Sequence, residues 1–196
     1  MWHHIVMQDA PSAQHRLLLA IEAADIEAAR QALAAGADPN AVVDRASPLV
    51  DAIGSGPLRE NRIVYLGTVR ILLDAGADPN LPDEDGTSGA LFEAVLVNDA
   101  EVMALLLAQG GNPNFLVDGQ SLYDWAAWDY AFEARENRQL PGTEEPSAAD
   151  CATSEARLSW LYRMASKYGF PAPDHLRVMR EAGAMTTAEM QASGVR

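Results

Sequence analysis

At 196 residues, 48% of them hydrophobic, the chain is long enough for one well-buried domain and short for two full ones. Twenty-eight Asp and Glu against 14 Lys and Arg give a formal net charge of −14, and no basic cluster stands anywhere, which disfavours nucleic acid as a partner and favours a basic protein. A single cysteine, Cys151, excludes an intrachain disulfide framework; with no signal-peptide pattern at Met1–Asp9 and no apolar stretch near the ~20 residues that cross a bilayer, a cytoplasmic protein without membrane contact is expected.

Residues 1–13 read as an N-terminal segment. A first helix is expected from Leu17 to Ala24 and a second from Ile26 to Ala35, followed by Gly36-Ala37-Asp38-Pro39-Asn40. This pentad recurs unchanged at Gly76-Ala77-Asp78-Pro79-Asn80 and, with two substitutions, at Gly110-Gly111-Asn112-Pro113-Asn114. Each copy follows an amphipathic segment. Val69, Leu72 and Leu73 fall at i, i+3 and i+4, as do Val102, Leu105 and Leu106, which is one helix face. Gly can take the left-handed conformation that ends a helix and Pro cannot continue one, so the pentad is a helix stop.

Turn-and-cap signals follow the pentads at Ser47-Pro48, Asp85-Gly86-Thr87-Ser88 and Asp118-Gly119-Gln120-Ser121, where hydroxyls are placed to cap a new helix. The repeating unit is therefore turn, short helix, turn, longer helix, pentad. In the second unit Gly54 to Asn61 lengthens the join between helices by about seven residues, which accounts for a spacing of 40 rather than 34 between pentads. A fourth unit opens at Asp118 and leaves the pattern at Trp128. An exposed loop is expected over 136–153, because Leu140 to Ser147 has two prolines and no apolar period. Helical spacing resumes from Glu155 to Tyr168, with Leu158, Leu161, Tyr162 and Ala165 on one face, and His175 to Ala184 reads as the fourth unit's displaced second helix.

Asn98 to Gly110 resembles the second half of the ankyrin repeat pattern nearly position for position, Leu91 to Val95 resembles its first-helix core, and residues 14–135 resemble that family as a whole. The resemblance implies an all-α solenoid of about four helix-turn-helix units, with an insertion and an extra helix in the last unit and C-terminal helices over 154–196. It also implies a binding scaffold without chemistry of its own, which presents turn tips and inner helices as a concave surface for a protein partner.

The expected tips are Val42 to Arg45, Pro82 to Asp85 and Leu116 to Asp118. Candidate partner-binding residues are Asp44, Arg45, Asp83, Glu84, Asp85, Phe92, Leu116, Val117, Asp118, Tyr123, Asp124 and Trp128. Asp83 to Asp85 is the densest acidic run on any tip, read either as a solvated turn or as a contact. Leu116 and Val117 are apolar where a plain loop would be polar, which fits partner contact or packing under the displaced helices. The aromatic group Tyr123, Trp125, Trp128, Tyr130 and Phe132 reads as core for the extra helix, although its spacing covers more than one face and Trp with Tyr is the composition of binding hot spots.

Catalytic constellations are poor. His3-His4, His15 and His175 are isolated in sequence, Cys151 has no neighbouring His, and no zinc spacing results. Asp124, Asp129 and Glu133 form a carboxylate stripe with no phosphate loop or metal-ligand histidine, which reads as a solvated or partner-facing edge. No catalytic residue, metal or cofactor is expected. The resulting expectation is a non-catalytic binding module, monomeric or in a 1:1 complex, that binds and inhibits a basic protein such as a bacterial toxin, since small acidic proteins of this design resemble ankyrin-type immunity proteins. The alternative is an assembly adaptor that forms homo-oligomers through the C-terminal helices.

Overall fold

A computed structural model describes residues 11–82, 89–136 and 145–194, and among them eleven helices supply nearly all the regular structure. The chain divides into two compact units, Met1–Ala77 and Asp78–Arg196, so the division falls inside the second pentad and within the 14–135 segment.

The first unit holds α1 (Ala13–Glu22), α2 (Ile26–Ala34), α3 (Pro48–Gly54), α4 (Gly56–Glu60) and α5 (Arg62–Asp74). Helix α1 begins four residues before the expected Leu17, because the Ser12 hydroxyl accepts the His15 N–H and caps it there. It ends before Ala24, whose φ of +53° breaks the helix, and Asp25 then caps α2. Ser47 caps α3, with Pro48 in the first turn where its missing N–H costs nothing. The lengthened join is not a plain loop. Ser55 and Pro57 start the short helix α4, whose Leu58 is fully buried, and the Tyr65 hydroxyl donates to the Ile53 carbonyl at 3.2 Å in the core. Gly67 lets α5 pass close to α2: a Cβ there would meet Ile26 Cδ1 at 2.5 Å, and that side-chain end would have to turn aside.

The second unit holds α6 (Ala90–Leu96), α7 (Ala100–Ala108), the two-residue strands β1 (Leu116–Val117) and β2 (Gln120–Ser121), then α8 (Leu122–Glu136), α9 (Ser154–Tyr168), α10 (Asp174–Glu181) and α11 (Thr187–Ser193). Helix α6 packs on α7 and α8, and α10 packs on α7 and α8. Strands β1 and β2 form a hairpin with Val117 opposite Gln120, and Asp118 (φ +50°) and Gly119 (φ +81°) make its two-residue turn.

One cap recurs after α2, α5, α7 and α10. Gly36, Gly76, Gly110 and Gly183 sit at φ +92°, +93°, +88° and +86°, and the N–H of the next residue returns to a carbonyl five residues back, as in Ala77 to Leu72 and Ala184 to Met179. The asparagine that closes each pentad reaches to the glycine of the next cap. Asn40 Nδ2 donates to Gly76 O at 2.9 Å, Asn80 Nδ2 to Gly110 O at 3.0 Å and Asn114 Nδ2 to Gly183 O at 3.1 Å. The same side chains accept in return: Asn112 N–H donates to Asn80 Oδ1 and Met185 N–H to Asn114 Oδ1. Gln14 accepts the Asp38 N–H and so does this work ahead of the first pentad. Gly183-Ala184-Met185 thus stands, bond for bond, where Gly110-Gly111-Asn112 stands one cap earlier. That joins α10 to the pattern across about fifty intervening residues.

Candidate protein-interaction surface

Two tips have the same geometry. Val43 bridges Ala46 around Asp44 (φ +50°) and Arg45 (φ +79°), a tight turn like that at Asp118-Gly119 but with an arginine where the second has glycine. Asp44, Arg45 and Asp118 are exposed at these tips. On β1 the side chains alternate, so Leu116 is 47% exposed while Val117 is buried at 6%. Val117 therefore packs inward and offers no contact surface. Asp83, Glu84 and Asp85 lie outside the described residues.

Burial also divides the aromatic group. Tyr123 is buried in the second unit's core, with the Arg180 guanidinium 5.3 Å from its ring centre; burial pushes its hydroxyl up to about 12. Tyr130 is buried too, and its hydroxyl donates to the Pro171 carbonyl at 2.6 Å. These two fix the segments after α9 against α8. Neither is a surface residue, and Tyr123 does not serve as a direct contact. Asp124 is half-buried and committed: its Oδ2 accepts the Thr187 N–H at 2.7 Å, which anchors the start of α11.

The other rings run in a line from α6 along α8. Phe92 meets Trp125 at 4.7 Å between ring centres, Trp125 meets Trp128 at 6.3 Å, and Trp128 stacks on Phe132 at 5.2 Å. Positions 125, 128 and 132 share one helix face, and Phe92 and Leu96 share one face of α6, so the line is a consequence of 3.6-residue periodicity on two neighbouring helices. Its outer end is on the surface. Trp128 is 56% exposed and Phe132 43%, and on α6 the Leu96 side chain is 43% exposed as well. The exposure of Phe132 and Leu96 was not legible in the sequence, because a period alone does not say which side of a helix its neighbours cover.

Beside the rings lies a recess of about 280 Å³ lined by Trp128, Phe132, Ala131 and Arg157, and next to it a larger one of about 610 Å³ that reaches Glu155 and Glu189. The polar side is held by a network around Arg180. Its guanidinium donates to Glu189 at 2.7 Å, to Glu155 at 2.9 Å and to the Ala184 carbonyl at 2.6 Å. Hydrogen bonding from Arg180, and then from the Thr186 N–H, holds the Glu189 carboxyl below the usual range. Glu189 closes a capping box with Thr186, and the Ser154 hydroxyl donates to it, so α9, α10 and α11 meet at one arginine. The Arg157 guanidinium lies 4.8 Å from the Trp160 ring centre and donates to Cys151 Sγ.

His175 is 1% exposed, 5.9 Å from the Tyr130 ring centre, and its Nε2 has no hydrogen-bond partner. Burial lowers its pKa to about 4, outweighing the opposite effect of Asp174, so it is a neutral core residue at ordinary pH. Among the described residues no group of three or more His, Cys, Asp or Glu is placed to hold a metal ion, and no helix is long and apolar enough to cross a membrane. In the first unit, a recess of about 500 Å³ runs between α1 and α2 past the 46% exposed Leu19. Comparison of the sequence with protein-family models and with curated proteins gives no match.

Proposed function

We propose that this chain is a non-catalytic protein-binding module of the ankyrin-repeat kind, and that it binds and inhibits a basic protein through the face built from α6 and α8. The observation that carries the reading is the aromatic line from Phe92 to Phe132, whose outer rings are exposed. A contiguous apolar patch with Trp at its centre is costly to leave in water and is the usual anchor of an interface. A surface with only solubility to maintain would carry charge at positions 128 and 132.

The repeat reading draws support from the four glycine caps and from the asparagine bridges, which join elements at the same relative positions each time. The partner's sign is argued from charge. Residues 78–196 hold nineteen acidic residues against eight basic ones, so most of the −14 sits in the unit that carries the rings. Inhibition of a bacterial toxin is the form of this reading that the resemblance to immunity proteins suggests.

Immobilised protein should retain a basic protein from a lysate of the source cell, and a Trp128→Ala/Phe132→Ala variant with unchanged circular dichroism should not. Equal retention by both would remove the assignment to this face. A stable homodimer that retains no other protein would favour the assembly adaptor.

A further inference from the structure

The two recesses of the second unit adjoin over the α8 surface, where Asp124, Ala127 and Arg157 line both the 280 Å³ and the 610 Å³ volume, and side by side they make a groove. The floor is α8, and the facing wall is Cys151 to Thr153 with the first turn of α9. That wall belongs to the stretch between Trp128 and His175 that departs from the repeat pattern, and it is well anchored. Thr153 caps α9 by accepting the Ala156 N–H, Ser147 and Asp150 bond each other at 2.6 Å, and Arg163 pairs with Asp150.

The two ends of the groove differ in chemistry. One end is apolar, with Trp128 stacked on Phe132 beside Ala131. The other is hydroxylic and acidic, with Ser154, Thr186, Glu155 and Glu189. Glu155 keeps 71% of its side chain exposed although Arg180 binds one oxygen. Asp124, Glu155 and Glu189 outnumber Arg157 and the Arg180 that pairs with both glutamates by one, so the lining keeps a net negative charge, in the unit that already carries most of the chain's negative charge.

We infer that this groove takes an extended segment of the partner, seating an apolar or aromatic side chain against Trp128 and Phe132 and a neighbouring arginine or lysine at the exposed Glu155 carboxylate. The inference rests on the protein-binding reading and adds the wall and the pairing of an apolar with a basic side chain. A groove apolar at one end and acidic at the other suits a chain that lies along it, with rings supplying the anchor and a carboxylate the polarity. The segment after Trp128 is then a specificity element that the repeat units alone would not provide.

Fluorescence anisotropy with labelled eight-residue peptides tests this on the full chain. A peptide with two leucines followed by two arginines should bind at least tenfold more tightly than its arginine-to-glutamate or leucine-to-serine counterparts. Ala152→Trp, which fills the groove from the exposed wall, and Trp128→Ala should each weaken binding at least tenfold, whereas Ala104→Trp on α7 should leave it unchanged. If Trp128→Ala weakens binding and Ala152→Trp does not, the groove is overturned while the aromatic face stands. No preference among the peptides, or no binding by any of them, overturns the proposal, and lysate capture then judges the protein-binding reading separately.

Discussion

Arg45 sits at φ +79° at a tip where the matching hairpin has Gly119, and an L-residue other than glycine in that region costs about 1–2 kcal/mol. Arg45→Gly should therefore raise stability, by about 0.5–1 kcal/mol after the extra chain entropy of glycine, seen as a higher urea midpoint. Gly76→Val should do the reverse, costing at least about 1 kcal/mol, because φ +93° strains a β-branched residue even though nothing crowds the added Cβ. A lower midpoint for the first variant, or an unchanged one for the second, would contradict this account of the turns. His175 makes stability depend on pH. Its pKa is about 4 folded and 6.5 unfolded, so between these values the unfolded chain binds the extra proton; the contribution is present above pH 6.5 and lost as pH falls towards 4. The full loss is roughly 3 kcal/mol. As pH falls from 7 to 4.5 the urea midpoint of the parent should drop relative to that of His175→Leu, and parallel curves would contradict the assignment.

Helices that close on local signals were legible in the sequence, and those that close on distant partners were not. Glycine caps at 36, 76 and 110 follow from five consecutive residues, and the expected Glu155–Tyr168 helix differs from α9 by one residue because Thr153 is a local cap. Helix α11 carried a readable signal, Thr186 followed by Glu189, that went unused. Trp160 falls off the face formed by Leu158, Leu161 and Tyr162, yet it is buried at 4%; the cover it finds depends on where the insertion folds, which no period encodes. The division of the aromatics at 123, 125, 128, 130 and 132 was hidden for the same reason. Arg180 shows how such non-local choices are fixed, since one guanidinium joins residues 155, 184 and 189. Arg180→Ala should cost about 1 kcal/mol, since water screens much of the network, and should speed hydrogen exchange in α11 more than in α7. Uniform acceleration across both helices would mean that Arg180 is not a local tie.

In the whole molecule most of the negative charge lies in the unit that exposes Trp128 and Phe132, and the proposed docking of a basic protein draws on both. Electrostatic steering should make association with the captured partner several-fold slower at ~500 mM than at ~50 mM salt, with dissociation changing less, because charge acts mainly on encounter. A rate independent of salt would remove charge from the account while leaving the rings. Docking of a basic protein at Trp128 can be read from a photo-crosslinking amino acid placed at position 128 or, as a control, at the exposed Ala104 of α7, with irradiation in the source cell. The account predicts an adduct with one basic protein from position 128 and none from position 104; no adduct from 128, or the same adduct from both positions, would contradict it.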